Sequence, residues 1–345
     1  MLHLVQIANN KSRRVAAVEE PRLRCLTEVE SVYDLANRCL KSGRGIRETV
    51  SALAQGETLD YNQIYSGTSE WRLLAPIDVP GAPSRLMVSG TGLTHVGSAA
   101  DRQAMHLADQ KKSAAAPANP DEVLTDSMRI FRWGLEGGRP KAGEIGVAPE
   151  WFYKGNGDVL RGPSEPLVVP SYGEDGGEEA EVAGVYIVAE DGTPYRIGMT
   201  VGNEFSDHQF EKRNYLNLAG SKLRTCSIGP ELAIDPDFHA VPGEVRILRG
   251  GKPLWSKAIA TGEDNMCHSL ANLEHHHFKF EGHRQPGAVH VHFYGAHSLS
   301  FGHNIALEDG DWMEVQFEGM GRALRNPIRI GPKASNRQVT IRTLA

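Results

Sequence analysis

Glu178-Glu179-Ala180-Glu181-Val182-Ala183-Gly184-Val185-Tyr186-Ile187-Val188-Ala189 places two carboxylates, Glu179 and Glu181, two positions apart at the opening of an apolar run. Side chains at i and i+2 of a β-strand leave it on the same face, so the two acids converge if the run is a strand. The turn pair Asp191-Gly192 breaks the run, and Tyr195, Ile197 and Met199-Thr200-Val201 resume it, which predicts a hairpin. A third acid follows the second strand in Gly202-Asn203-Glu204-Phe205-Ser206-Asp207. Three carboxylates with no His or Cys between them suit a hard, oxygen-seeking cation such as Mg²⁺, with Mn²⁺ or Ca²⁺ as substitutes. The competing reading is a solvated strand edge, because Glu174, Asp175 and Glu178 make the stretch acidic throughout.

A chain of 345 residues with 40% hydrophobic content can build one large domain and a smaller one. Thirty-seven glycines and 19 prolines imply many turns, hence a β-rich fold. The net charge of −6 and the lack of a basic stripe argue against nucleic-acid or anionic-membrane binding. Cys25, Cys39, Cys226 and Cys267 form no C-x-x-C pair, so reduced thiols and a cytoplasmic setting are expected. The apolar N-terminal stretch Met1–Ile7 is too short for a signal peptide, and no run approaches the ~20 apolar residues a bilayer span needs.

Residues 1–75 read as a small α/β cap and 76–345 as the catalytic domain. The cap opens with a strand from Leu2 to Ile7 and a hairpin partner around Val15–Val18. A helix starts at Ser31 with Asp34 three residues on, carries Val32, Leu35, Ala36, Cys39 and Leu40 at helical spacing, and ends at Gly43 and Gly45. A second helix is expected over Ile46–Ala54. Trp71-Arg72-Leu73-Leu74-Ala75-Pro76 leads into the body, and Leu86–Leu93 reads as a buried strand entering a glycine turn. Gln110–Ala118 has loop composition, and Asn119-Pro120-Asp121-Glu122 reads as the start of a helix that runs through Met128, Ile130 and Phe131 to Gly137-Gly138, a lid candidate.

The segment around the acids resembles the metal-binding core of the fumarylacetoacetate hydrolase superfamily. The resemblance begins at Trp151-Phe152-Tyr153-Lys154 and runs through Gly162-Pro163 and Pro166-Leu167-Val168-Val169-Pro170 to Glu179-Ala180-Glu181. It continues in Gly198–Glu204, and closes with Gly310-Asp311-Trp312-Met313-Glu314-Val315 and Gly321–Asn326. It implies a mixed β-roll catalytic domain, a homodimer, and Glu179, Glu181 and Glu204 as metal ligands, with Asp207 as the alternative third ligand. It also implies catalytic roles for Lys154 and for Lys222, which precedes Gly229-Pro230 at a slightly shorter spacing than the family's. The family's Gly-x-Asn-Tyr-x-x-His segment matches Gly92, Thr94, His95 and Ser98, which implies catalytic positions for His95 and Ser98, with His in place of the family's Tyr and Ser in place of the His that activates water in its hydrolases. Gly295-Ala296-His297-Ser298 falls where the family has a substrate-side turn, which implies that Thr94, Gly295 and His297 line the substrate pocket.

Among the fourteen histidines, His275-His276-His277 and His290-Val291-His292 tempt a transition-metal reading, but the acids already account for a metal. His292 or His297 is expected at the substrate pocket. A cation on the three acids can chelate a 2-oxo acid and acidify its C3 protons. The expected function is dehydration of a 2-keto-3-deoxy sugar acid such as 2-keto-3-deoxyarabinonate in sugar catabolism. The alternatives are C–C hydrolysis or decarboxylation of an acylpyruvate-type 2-oxo acid, and non-catalytic sugar-acid binding.

Overall fold

The computed structural model describes residues 1–110, 125–303, 305–332 and 338–344. In the N-terminal part, β1 (Leu2–Ala8), β2 (Arg13–Glu19) and β3 (Arg22–Cys25) precede α1 (Val32–Ser42) and α2 (Ile46–Leu53); β4 (Thr58–Asp60), α3 (Tyr61–Tyr65) and β5 (Arg72–Leu73) follow. The body begins with β6 (Leu86–Gly92), α4 (Val96–Gln110), α5 (Asp126–Gly137), β7 (Glu150–Asn156), β8 (Leu160–Arg161) and β9 (Leu167–Val169). Its centre is β10 (Ala180–Val188) and β11 (Pro194–Asn203), followed by α6 (His208–Arg213), α7 (Leu218–Ser221), β12 (Cys226–Ile228) and β13 (Leu232–Ile234). The chain then runs through β14 (Val241–Arg249), β15 (Lys252–Thr261), α8 (Leu270–Phe278), β16 (Val289–Phe293), β17 (Trp312–Phe317) and β18 (Leu324–Ile330). The fold is α+β and β-rich, as expected.

The hairpin forms as its turn chemistry dictates. Asp191 Oδ1 accepts from Thr193 N at 2.9 Å, and Gly192 takes φ 82, which a side chain would disfavour. The main sheet runs β4-β3-β2-β1-β13-β11-β10-β16-β6-β7, and a second sheet runs β15-β14-β17-β18-β9. β10 is buried along its whole length because both of its faces are covered, which explains why it reads as a continuous apolar run. Ala183, Val185 and Ile187 pack toward Leu35, Ala36 and Val50 of α1 and α2. On the other face Ala180 and Val182 meet Val245, Ile259 and Phe317 of the second sheet.

Residues 1–75 share the main sheet with the body, since β1 pairs antiparallel with β13 through Leu2↔Ile234 and Leu4↔Leu232. Ser31 caps α1 by accepting from Asp34 N at 3.0 Å, and Gly43 ends that helix at φ 68. The helix through Met128 and Phe131 starts later than the expected Asn119: Thr125 is extended and caps α5 by accepting from Met128 N at 3.3 Å, and Gly138 closes it as expected. The loop from Lys111 to Ala118 and the helix start at Asn119–Glu122 lie outside the described residues. Among the described residues no helix is long and apolar enough to cross a membrane.

Candidate metal centre

Register, more than sequence spacing, assembles the three acids. Ala180 pairs with Asn203 and Glu181 with Gly202, and Glu204 N donates to Glu179 O at 2.9 Å, so the residue after β11 lies across from the residue before β10. Glu179, Glu181 and Glu204 each offer one carboxylate oxygen, and these oxygens lie within 4.8 Å of one another. All three side chains are buried, which rules out the solvated-edge reading. Asp207 is engaged elsewhere: Oδ1 caps α6 by accepting from Phe210 N at 3.0 Å, and Oδ2 pairs with Arg224 at 2.6 Å.

Two buried lysines neutralise part of this charge. Lys222 Nζ donates to Glu179 Oε1 at 2.6 Å, Glu204 Oε2 at 2.5 Å and Ser206 Oγ at 2.9 Å. Lys154 Nζ lies 2.6 Å from Glu204 Oε1 and donates to Phe205 O at 2.6 Å and Lys222 O at 2.9 Å. An ammonium has three donors, so Lys222 is saturated, while Lys154 gives two hydrogen bonds to carbonyls and pairs with Glu204 by charge. Lys154 is thus no exposed turn residue: it straps down the loop at Phe205, whose φ of 42 needs such support.

The acids differ in their compensation. Burial alone would raise Glu179, but Lys222, His208 and Arg102 outweigh it and hold its carboxyl well below the usual range. Burial raises Glu204 and lowers Lys154, each against the other's attraction. Glu181 is pushed well above the usual range by burial and by the neighbouring Glu179 and Glu204, with Gly295 N donating to its Oε2 at 2.7 Å as partial relief. An all-oxygen donor set whose central acid lacks an ion-pair partner of its own among the described residues fits a hard divalent cation.

Residues that sequence reasoning missed form the wall behind Glu179. Arg102 NH1 donates to Glu150 Oε1 at 2.9 Å, its Nε lies 3.3 Å from Glu211 Oε1, and its NH2 lies 3.9 Å from Glu179 Oε1. Tyr215 OH donates to Glu150 Oε2 at 2.8 Å, and His208 Nε2 stands 3.0 Å from Glu179 Oε1. Arg102 follows Ser98 by one helical turn of α4, the one local signal that placed it on the same face. Glu178 accepts from both N and Oγ of Ser300 at 2.5 Å.

The remaining expected residues sit around Glu181. Gly295, at φ 101, gives its N–H to Glu181, and a Cβ there would lie 2.0 Å from Thr94 Oγ1, so only glycine fits. Thr94 Oγ1 donates to Tyr294 O at 2.7 Å and accepts from His95 Nδ1 at 2.8 Å, while His95 Nε2 meets Thr261 Oγ1 at 3.1 Å. Burial lowers His95 to about 3, so it is neutral. Ser98 Oγ donates to His95 O at 3.2 Å. His297 is half-buried, with Nδ1 3.0 Å from Ala260 O. His292 is fully buried between Ser89 Oγ and Thr91 Oγ1, both at 2.8 Å, and belongs to the core.

No family model matches the chain, and no curated protein matches its sequence. Solved structures do match. 2-Keto-3-deoxyarabinonate dehydratase aligns at TM-score 0.67 and 17% identity over 95% of this chain and 99% of its own, and one of its structures is complexed with magnesium and 2,5-dioxopentanoate. 2-Hydroxyhepta-2,4-diene-1,7-dioate isomerase from Mycobacterium marinum aligns at TM-score 0.56 and 16% identity over 96% of this chain and 99% of its own. The fold expected from the motifs, that of the fumarylacetoacetate hydrolase superfamily, is therefore the fold found.

Proposed function

We propose that this chain is a divalent-cation-dependent dehydratase of a 2-keto-3-deoxy sugar acid, such as 2-keto-3-deoxyarabinonate, with Mg²⁺ the favoured ion. The observation that carries the reading is the convergence of three buried carboxylates beside two buried lysines, with Glu181 undercompensated. Held by Glu179, Glu181 and Glu204, the ion supplies Lewis-acid polarisation of a 2-oxo acid's carboxylate and keto oxygens, which acidifies its C3 protons. Lys222 fixes the spacing of Glu179 and Glu204 and offsets part of their charge. Lys154 holds Glu204 and the Phe205 loop in place. Gly295 N orients Glu181.

Elimination is favoured over hydrolysis because Ser98 stands where the hydrolases of this fold carry the water-activating His. Its hydroxyl has no suitable pKa to take a proton from water, and its Oγ–H is engaged with His95 O. The dehydratase of the same fold, whose complex holds magnesium and 2,5-dioxopentanoate, supports this choice by analogy of fold alone. A cytoplasmic homodimer is the proposed working form.

The test incubates purified protein and Mg²⁺ with 2-keto-3-deoxypentonates and acylpyruvates and follows products by NMR. A 2-oxo semialdehyde, lost on chelation, is expected. Chain cleavage of an acylpyruvate at a comparable rate establishes a hydrolase instead, and ligand retention without turnover establishes a binding protein.

A further inference from the structure

The loop from Gly295 to Ser300 is pinned to the acidic hairpin at both ends. Gly295 N donates to Glu181 Oε2 at 2.7 Å, and Ser300 donates through N and Oγ to the two oxygens of Glu178 at 2.5 Å. Between these anchors stands His297. Its Cα can be no more than about 7 Å from that of Gly295, two residues away. Gly97, the neighbour of Ser98, makes the close approach possible, because a Cβ there would stand 2.4 Å from His297 O.

The imidazole is held in one tautomer. A carbonyl oxygen can only accept, so the contact of Nδ1 with Ala260 O at 3.0 Å places the hydrogen on Nδ1 and leaves Nε2 with a lone pair. Among the described residues Nε2 has no hydrogen-bond partner. Most other basic groups nearby are engaged. Lys222 is saturated, Lys154 is held by two carbonyls and the Glu204 charge, His95 and His292 use both ring nitrogens, and His208 gives its Nε2 to Glu179 while its Nδ1 is buried without a hydrogen-bond partner among the described residues.

We infer that His297 is the proton shuttle of the site, a catalytic residue whose Nε2 removes and returns a single proton. The exchange half of this assignment needs only a 2-oxo acid; its elimination half rests on the dehydratase reading above. Neutral Nε2 takes one proton from C3, and the C–H electron pair becomes that of the enolate. When C4 bears a hydroxyl, that pair forms the C3=C4 double bond as the C4–O bond breaks. The proton on Nε2 passes to the departing oxygen, which leaves as water, and the imidazole is neutral again. With a 2-keto-3-deoxypentonate the resulting 5-hydroxy-3-enoate becomes the enol of the semialdehyde by moving a proton from C5 to C3, so no further reactant is required. His297 thus supplies from a neighbouring loop the imidazole that Ser98 lacks.

His297→Asn keeps an N–H for Ala260 O but has no Nε2, and His297→Ala leaves room for added imidazole. The first readout is Mg²⁺-dependent exchange of C3 protons of 2-oxobutanoate in D₂O, followed by NMR; this acid has no C4 hydroxyl to lose. Exchange by the wild-type protein, a fall of ~10²- to 10⁴-fold in His297→Asn, and recovery of His297→Ala in proportion to added imidazole are expected. Calorimetric Mg²⁺ affinity should stay unchanged in both variants. Exchange in His297→Asn within about threefold of wild type overturns the assignment, as does a parallel loss of Mg²⁺ binding or absence of exchange in the wild-type protein. Wild-type protein that exchanges C3 protons through His297 but releases no water from any 2-keto-3-deoxy acid refutes the dehydratase reading and leaves the shuttle standing.

Discussion

The strands at the centre of the main sheet carry two buried polar clusters of opposite character. One holds Glu179, Glu181 and Glu204 with Lys154 and Lys222; the other holds His277, His283, His290 and His292 around α8 and β16. In the histidine cluster hydrogen bonding runs in one direction. Trp151 Nε1 donates to His277 Nδ1 at 3.2 Å, so His277 carries its hydrogen on Nε2 and gives it to His290 Nδ1 at 3.0 Å. His283 Nδ1 donates to His277 O at 2.6 Å, and hydroxyls hold both nitrogens of His292. Burial keeps His277, His290 and His292 neutral and most of their polar atoms are paired, so this is core. The acids cannot all be neutralised by the groups around them, and among the described residues they alone bring three ligand atoms together. Two clusters of ligand-type side chains differ because one has unmet charge and the other has dipoles that are mostly paired.

That contrast breaks most sharply at Glu181. Glu181→Gln is expected to lower calorimetric Mg²⁺ affinity, and any Mg²⁺-dependent turnover, beyond the ~10- to 100-fold that loss of an outer partner costs. Because the removed charge faces Glu179 and Glu204, the metal-free variant should melt no lower than wild type. Near-wild-type Mg²⁺ affinity would end the metal assignment. Glu179→Gln should lose Mg²⁺ equally but melt lower, since it strands Lys222.

Lys222→Met tests the other half of the charge balance. Removing a buried ammonium from two carboxylates should cost ~3–5 kcal/mol of stability in denaturant titrations. Mg²⁺ should restore part of that loss in the variant and less in the wild type, whose acids are already compensated. A stability loss indifferent to Mg²⁺ would detach Lys222 from the metal centre.

The histidine cluster should respond to pH and not to metal. Burial lowers His292 to about 3 and His290 to about 4, and pushes His277 down as well. Folded-state values depressed below an unfolded value of ~6.5 mean that the unfolded chain binds protons first, so stability present above that value is lost as pH falls from there toward 3. Each histidine adds ~1.4 kcal/mol per pH unit to the slope. His290→Asn should flatten the slope in urea titrations between pH 6 and 4, with or without a chelator, while a slope that depends on added divalent ion would make the cluster a metal site.

The smallest effect is expected at Asp207→Asn. Asn still caps α6, and the Arg224 contact weakens by ~1–3 kcal/mol, but Mg²⁺ affinity should move by less than about threefold. A large loss of affinity would bring Asp207 into the metal shell in place of Glu204.

The hairpin, the shared face of Glu179 and Glu181 and the capped helix at Ser31 were legible because each depends on neighbours within a few residues: period-two alternation, an Asp-Gly turn, a serine at a helix start. Glu204 was legible only as an acid after the second strand, with Asp207 as its alternative, because a bulge between Val185 and Tyr186 shifts the register that the turn sets. Arg102, Glu150, Glu211 and Tyr215 left no comparable mark. Their partners lie on α4, β7, α6 and the segment after it, elements that no local pattern brings together. The fate of the histidines was equally hidden, since the same residue type serves as ligand, shuttle or core according to what meets its two nitrogens.

By itself the sequence determined the strands, the turn and the presence of three acids at a spacing that could converge. These rest on backbone geometry and short-range hydrogen bonding. Only the tertiary structure decided that the acids are buried, that both lysines are buried beside them, and that among the described residues Glu181 lacks an ion pair and His297 keeps an open nitrogen. Those outcomes depend on desolvation and on partners distant in the chain, and both come into being when the two sheets and their covering helices pack.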